Sequence, residues 1–369
     1  MHLFLSAPEM DRFLAEELAR MAPGARLESL GDGLLVAKEL PAGLAGPVAF
    51  SRQCLPDAEH FAVPSIRVAA EALVTRLIGG LPLQGPWRLQ VAARYGAPGS
   101  EAGAHRCRLL EEAVVEQLRK RRRSLLRGLD GHRAPSGGTA TEGGAPPAPP
   151  APVGTAPFAR EESFVQLLLT SPEAGFLSVL PAPGPAEAAG RVWPFVRGEV
   201  PVAVDKAAPS RAFAKLVESE ERLGIRIAAG ETCVDLGASP GSWTYVPAMR
   251  GARVVAVDRS PLRDDLMRNP RVEFVQGDAF RFAPTSPVDW LLCDVIAAPD
   301  RSIDLVLEWV RERRCRRFVV TIKFKGDGEY AVLDRLKHGM PPLVSRFHLL
   351  HLCANKNEVC VFGETRSDS

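Results

Sequence analysis

The stretch CVDLGASPGSW, residues 233–243, constrains this chain more than any other. It runs apolar, then acidic, then glycine-rich, and opens into a helical pattern. Val234 and Leu236 suit a buried strand with Asp235 at its carboxyl end. Gly237 and Gly241 supply backbone freedom where a chain turns sharply and a ligand approaches its amides. Strand, acidic end, glycine turn and helix, in that order, predict the first unit of a doubly wound α/β sheet, which binds ligands beyond the carboxyl ends of its strands. The spacing is GxxxG and not GxGxxG, so a pyrophosphate cradle is not implied.

Residues 208–363 repeat that rhythm. Helices are expected at 210–223, 242–250, 300–313 and 327–338, and strands at 232–236, 252–258, 272–276, 288–294 and 317–323. Strands 345–352 and 357–363 close the sheet as an antiparallel pair. Such alternation predicts a mostly parallel sheet covered on both faces.

Earlier residues read differently. A strand at 2–6, a helix at 8–21 (Phe13, Leu14, Leu18 and Met21 on one face) and a strand pair at 27–39 around Gly31-Asp32-Gly33 make a small ferredoxin-like α+β unit, residues 1–46. A strand and turn at 48–56, helices at 65–77 and 105–126, and strands at 87–93, 164–170 and 176–180 make a second unit, 47–190. Residues 131–160 hold little but Pro, Gly, Ala, Ser and Thr, and are read as a disordered surface insertion. The boundary to the last domain, 200–363, falls between 190 and 205, and 364–369 are expected as a disordered tail.

The length of 369 residues allows two or three domains, and the net charge of +2 says little about partners. Clustering says more. The run Arg119-Lys120-Arg121-Arg122-Arg123 ends the 105–126 helix and creates a potential that attracts polyanions. A solvated helix face is the plainer reading of any charge run; contact with RNA stands beside it. The seven cysteines include no CxxC pair and sit largely in apolar runs, as in a reduced cytoplasmic protein without a zinc site. No apolar run reaches membrane-spanning length, and Asp11 and Glu16 interrupt any leader-like start. No metal and no membrane partner are expected, and a monomer is.

Four aspartates fall at or just past strand ends: Asp235, Asp258, Asp278 and Asp294. One alone would more often cap a helix. Four beside one glycine turn favour a cofactor pocket. Asp258, about 20 residues past the glycine turn, is placed for ribose hydroxyls, and Asp278 for an adenine amino group. The pattern suits a cofactor with an amino acid end and a nucleoside end, such as S-adenosylmethionine. Lys323 ends the fifth strand, poised at the same cleft as Asp294. Desolvation would make it a plausible base, while adjacent carboxylates favour its charged form. Taken singly, each lysine reads as a snorkelling surface charge.

The constellation resembles a known family. Ser210-Arg211-Ala212-Phe213-Ala214-Lys215, then DLGASPGSW, Asp294, Ile322-Lys323 and Asn357-Glu358-Val359 are similar to the FtsJ-type ribose 2′-O-methyltransferases. That resemblance implies a Rossmann-like S-adenosylmethionine-dependent domain and a catalytic tetrad of Lys215, Asp294, Lys323 and Glu358. It implies cofactor contacts from Ser210, Asp235, Gly237, Ser239, Pro240, Gly241, Ser242, Trp243, Asp258, Asp278 and Asp294. Within the superfamily, Ala208-Pro209-Ser210-Arg211, Gly241-Ser242-Trp243-Thr244-Tyr245, the run 288–294 and Ser51-Arg52-Gln53-Cys54 are similar to the RlmM type. That type places a THUMP RNA-binding domain ahead of the methyltransferase and methylates a cytidine 2′-hydroxyl in bacterial 23S ribosomal RNA. Ser242 stands where the family usually has a second glycine, and the loop Phe324-Lys325-Gly326 also departs from it.

Other classes fit less well. A non-catalytic ribosome-assembly factor has no need of Lys323 beside Asp294. A base-amino methyltransferase commonly carries a proline-aromatic motif after the fourth strand, where this chain has Val295-Ile296-Ala297-Ala298. A nicotinamide enzyme is disfavoured by the GxxxG spacing. Another RNA as the 2′-O-methylation substrate stays open.

Overall fold

The computed structural model describes residues 1–40, 46–80, 83, 85–96, 101–129, 156–188, 190–326 and 330–366. Residues 131–155 of the expected insertion and 367–369 of the expected tail lie outside the described residues. The described residues group into two compact units. One takes those within Met1–Asp11, Ala22–Ala42 and Gln53–Glu199; the other takes those within Arg12–Met21, Gly43–Arg52 and Val200–Ser369.

In the first unit, β1 (His2–Leu5), β2 (Arg26–Ser29), β3 (Leu34–Lys38) and β4 (Gln53–Leu55) form an antiparallel sheet in the order β2-β3-β1-β4. A second sheet holds β5 (Glu59–Ala62), β6 (Trp87–Ala93), β7 (Ser163–Leu169) and β8 (Ala174–Leu180) in the order β5-β8-β7-β6. The expectation of paired strands at 164–170 and 176–180 matches the antiparallel β7–β8 ladder; β5 is a strand that the sequence reading lacked. With α1 (Asp11–Met21) assigned to the other unit from Arg12 onward, the helices here are α2 (Ile66–Gly79), α3 (Glu101–Arg121), α4 (Arg123–Gly128) and the short α5 (Gly184–Glu187). Leu73 and Leu77 of α2 and Leu110 and Leu118 of α3 bury against Trp87 and Val165. The helix expected at 105–126 breaks at Arg122, whose φ of −154° and ψ of 75° leave the helical region. Consecutive cations repel at i, i+3 and i, i+4, which weakens a helix there.

The second unit is built on a sheet that, among the described residues, has seven strands. These are β9 (Thr232–Leu236), β10 (Arg253–Asp258), β11 (Val272–Gln276), β12 (Val288–Cys293), β13 (Cys315–Lys323), β14 (Val344–Leu350) and β15 (Glu358–Thr365), in the order β11-β10-β9-β12-β13-β15-β14. The first five in that order are parallel, and β15 runs antiparallel to both β13 and β14. β15 reaches Thr365, two residues into the expected tail. The order reverses between β9 and β12, and such a switch point opens a crevice at the strands' carboxyl ends. Flanking it are α6 (Phe213–Leu223), α7 (Ser242–Met249), α8 (Asp264–Met267), α9 (Pro299–Arg311) and α10 (Asp334–Gly339). The helix expected at 327–338 is a 3-10 turn, Tyr330–Leu333, followed by α10, and residues 327–329 lie outside the described residues.

The division of the chain departs from a boundary at residues 46 and 47. Residues 12–21 and 46–52 pack into the second unit, and their polar contacts show why. The buried Glu17 carboxylate of α1 accepts the backbone N–H groups of Ala49 (2.9 Å) and Phe50 (3.1 Å) and pairs with Lys337 Nζ at 2.5 Å. The His351 N–H donates to the Ala49 carbonyl (2.7 Å), and Arg52 donates to the Leu352 carbonyl (3.3 Å).

Candidate active site

The glycine turn after β9 needs its glycines. Gly237 and Gly241 have φ of 75° and 108°, in the left-handed region that side chains resist. A Cβ on Gly237 would lie 2.9 Å from the Val295 backbone, and one on Gly241 would lie 2.3 Å from Leu266 Cδ1. The turn is further tied to β10. Asp258 accepts the Ser239 N–H (3.0 Å) on one oxygen and the Ser260 N–H (2.8 Å) on the other. Ser210 and Ser242 share a hydrogen bond of 2.7 Å across the mouth.

Against this turn lies a cavity of about 310 Å³, within the size range of small-molecule sites. Ser210, Asp235, Gly237, Ser239, Pro240, Ser242, Trp243, Asp258 and Asp294 line it, all of them expected contacts. Lys323 lines it too. Val295 and Ile296 are lining residues that the sequence reading missed; their position directly after Asp294 was the available signal. Gly241 shapes the turn without being one of the lining residues. Asp278 is not among the residues that line this cavity. Its carboxylate accepts the Phe280 N–H (3.0 Å) and pairs with Arg259 (3.1 Å), and those two contacts hold it below the usual aspartate range.

Asp235 is buried, and its carboxyl accepts the Thr244 hydroxyl at 2.6 Å. Burial pushes it up to about 7; Asp294 and Asp258 push the same way, against the Thr244 hydrogen bonds. A carboxyl raised on folding contributes stability that is present below the unfolded value, about 3.9, and lost as pH rises through the folded one. Asp235→Asn should therefore gain in melting temperature relative to the wild type as pH rises from 4 to 8. A difference that stays constant over that range would mean the carboxyl ionises normally.

The four tetrad candidates come from four different elements and meet. Lys215, on α6, donates to both oxygens of Asp294 at 2.7 Å and to Glu358 Oε1 at 3.1 Å. Lys323 donates to the Asp294 carbonyl at 2.7 Å, and its Nζ lies 3.0 Å from Asp294 Oδ1. β13 and β15 pair Lys323 directly with Glu358. Only 5% of the Lys215 side chain is exposed, against 21% for Lys323. Burial works against the Lys215 charge, but Asp294, Cys360 and Glu358 outweigh it and raise its value. Lys215 is thus a fixed cation behind the cavity, and Lys323 is the lysine that faces it. Asn355 donates to Glu358 Oε1 (3.2 Å), a partner that the sequence reading did not name.

Residues 208–339 match the family described as FtsJ-like methyltransferase. That match covers about a third of the chain. Curated relatives named ribosomal RNA large subunit methyltransferase M match it in part. The protein from Azoarcus sp. (strain BH72) is 43% identical over 122 residues, 31% of this chain and 34% of its own. That from Stutzerimonas stutzeri (strain A1501) is 42% identical over 137 residues, 36% of this chain and 39% of its own. That from Pseudomonas putida (strain GB-1) is 36% identical over 167 residues, 44% of this chain and 45% of its own. The chain therefore matches between a third and just under half of these relatives' length. The RlmM-type resemblance read from the sequence agrees with their names. The matched residues hold Lys215, Asp294 and Lys323, and Glu358 lies beyond them.

The basic run belongs to the first unit, where Arg119 to Arg123 are all exposed. Lys120 pairs with Glu116 (2.6 Å), and Arg121 donates to the Thr75 hydroxyl (3.0 Å).

Proposed function

We propose that this chain is an S-adenosylmethionine-dependent RNA methyltransferase that modifies a ribose 2′-hydroxyl, that of a cytidine in 23S ribosomal RNA. The observation that carries the reading is Lys323 Nζ at the cavity wall, bonded to Asp294, whose carboxylate is already neutralised by Lys215.

The cavity suits the cofactor. Asp258 stands at the β10 end for ribose hydroxyls, and the strictly glycine positions leave the turn's backbone open to close approach. Ser210, Ser239, Pro240, Ser242 and Trp243 would enclose it, with Asp235 behind the turn. Asp278, just past β11, would meet the adenine amino group. When bound, the cofactor supplies a methyl group on a sulfonium for in-line attack by oxygen.

The chain's own residues then do two things. They fix the ribose oxygen in line, which is the largest contribution available. Lys323 would accept the 2′-hydroxyl proton at Nζ, where Asp294 holds the side chain. Lys215 donates to both oxygens of Asp294, so that carboxylate keeps a cationic partner besides Lys323. Glu358 keeps Lys215 in place. This chemistry calls on no metal.

The first unit, read as a THUMP-like module spanning most of 1–190, would supply RNA affinity through phosphate contacts at Arg119–Arg123. The protein is read as cytoplasmic and monomeric. No described helix is long and apolar enough to cross a membrane.

Mass mapping of ribose methylation on 23S ribosomal RNA, from a strain lacking this protein beside its parent, tests the reading. The expected result is loss of one 2′-O-methyl cytidine. An unchanged map would overturn the ribosomal assignment.

A further inference from the structure

Lys323 is the last residue of β13, and its partner Glu358 is the first of β15. The ladder stops at this pair, so nothing in the strands themselves fixes the chain that leaves Lys323. Asn357 does. Its carbonyl accepts the Phe324 N–H at 3.0 Å, and its side-chain amide donates to the carbonyls of Phe324 (3.3 Å) and Gly326. Its Oδ1 accepts the Tyr330 hydroxyl. Donor and acceptor ends of the amide are both used, which fixes its orientation.

Tyr330 is itself held. It is buried, and its ring centroid lies 4.5 Å from that of Phe324, 4.4 Å from Phe13 and 4.9 Å from Phe50. Phe13 is on α1 and Phe50 lies in 46–52, both pinned through Glu17. The cage is thus completed by residues far outside the FtsJ-like match of 208–339.

We propose that Asn357, locked by the Tyr330 hydroxyl inside this aromatic cage, is a positioning residue for Lys323 and Glu358, and that Phe13 and Phe50 extend the catalytic unit to the chain's N-terminal residues. The proposal deepens the functional reading above and rests on it. Asn357 is not among the residues that line the cavity. It holds the backbone on which the reacting lysine sits, and a misplacement of about 1 Å at such a site costs on the order of 100-fold in rate.

The test uses the full chain. Asn357→Ala should lower kcat by about 10- to 100-fold, with the RNA KM and cofactor affinity unchanged. Tyr330→Phe, which keeps the ring and the cage, should lower kcat in the same sense by less. Phe50→Leu should act like Tyr330→Phe. A second readout does not depend on turnover: after reductive ¹³C-methylation, the Lys323 resonance, assigned by its absence in Lys323→Arg, should shift in Asn357→Ala and Tyr330→Phe. If kcat holds, or falls only with the folded fraction while the resonance stays in place, the proposal is wrong. If the wild type methylates no RNA, the functional reading fails instead, and the resonance still decides the positioning role.

Discussion

Lys323→Ala should slow single-turnover methyl transfer by about 10²- to 10⁴-fold, the usual contribution of a positioned general base. Cofactor affinity should change little, because the cavity walls at the glycine turn and Asp258 stay as they are. Lys323→Arg separates two roles that alanine confounds. A guanidinium keeps the charge against Asp294 but does not deprotonate in proteins. If Lys323 accepts the proton, the arginine variant stays as slow as the alanine one. If it serves only as a cation beside Asp294, arginine restores much of the rate. Normal turnover in Lys323→Ala would remove it from the chemistry altogether. Single-turnover rates at saturating cofactor, with affinity measured by calorimetry, give both quantities.

Lys215→Met should affect stability and rate together. The lysine is almost fully buried between Asp294 and Glu358. Removing one member of a buried ion cluster leaves the others uncompensated and costs about 3–5 kcal/mol. Methionine keeps most of the volume, so the loss isolates charge. The sign of the pH dependence follows from the raised value of Lys215. Stability from a lysine whose value rises on folding is present below its unfolded value, about 10.4, and is lost only as pH climbs through the folded value. The wild-type advantage over Lys215→Met should thus hold across neutral pH and decline in strong base. Denaturant unfolding from pH 7 to 11 reads this directly. A variant as stable as the wild type at pH 7 would mean that water or rearrangement already screens the two carboxylates.

Much of the second unit was legible because local rules set it. Residues 232–236 and 272–276 form the predicted strands, and Asp235, Asp258 and Asp294 fall at the predicted ends. Alternation of buried strand and amphipathic helix is a short-range signal. The meeting of Lys215, Asp294, Lys323 and Glu358 came from resemblance, since no spacing in the sequence joins α6 to β15. What escaped was decided by distant partners or by local competition. The helix from residue 105 yielded at Arg122, under the repulsion of its own charges. Glu17 and Phe50 reveal their packing only when Lys337 and Tyr330 are present, and pattern alone had grouped them with the neighbouring strands.

That packing has a consequence for synthesis. Glu17 and Lys337 are separated by 320 residues. At about 5–20 residues per second, α1 leaves the ribosome on the order of 15–65 s before its buried partner is made. Throughout that interval the apolar face of α1 and the 46–52 segment have no place to dock, while the first unit's strands can already pair. The second unit is therefore a late product of translation, closed by a contact of very high sequence separation, and closures of that kind are slow. A nascent chain stalled before Lys337 would present α1 to chaperones and proteases as an orphan helix, and its lifetime in that state would set the yield of active protein.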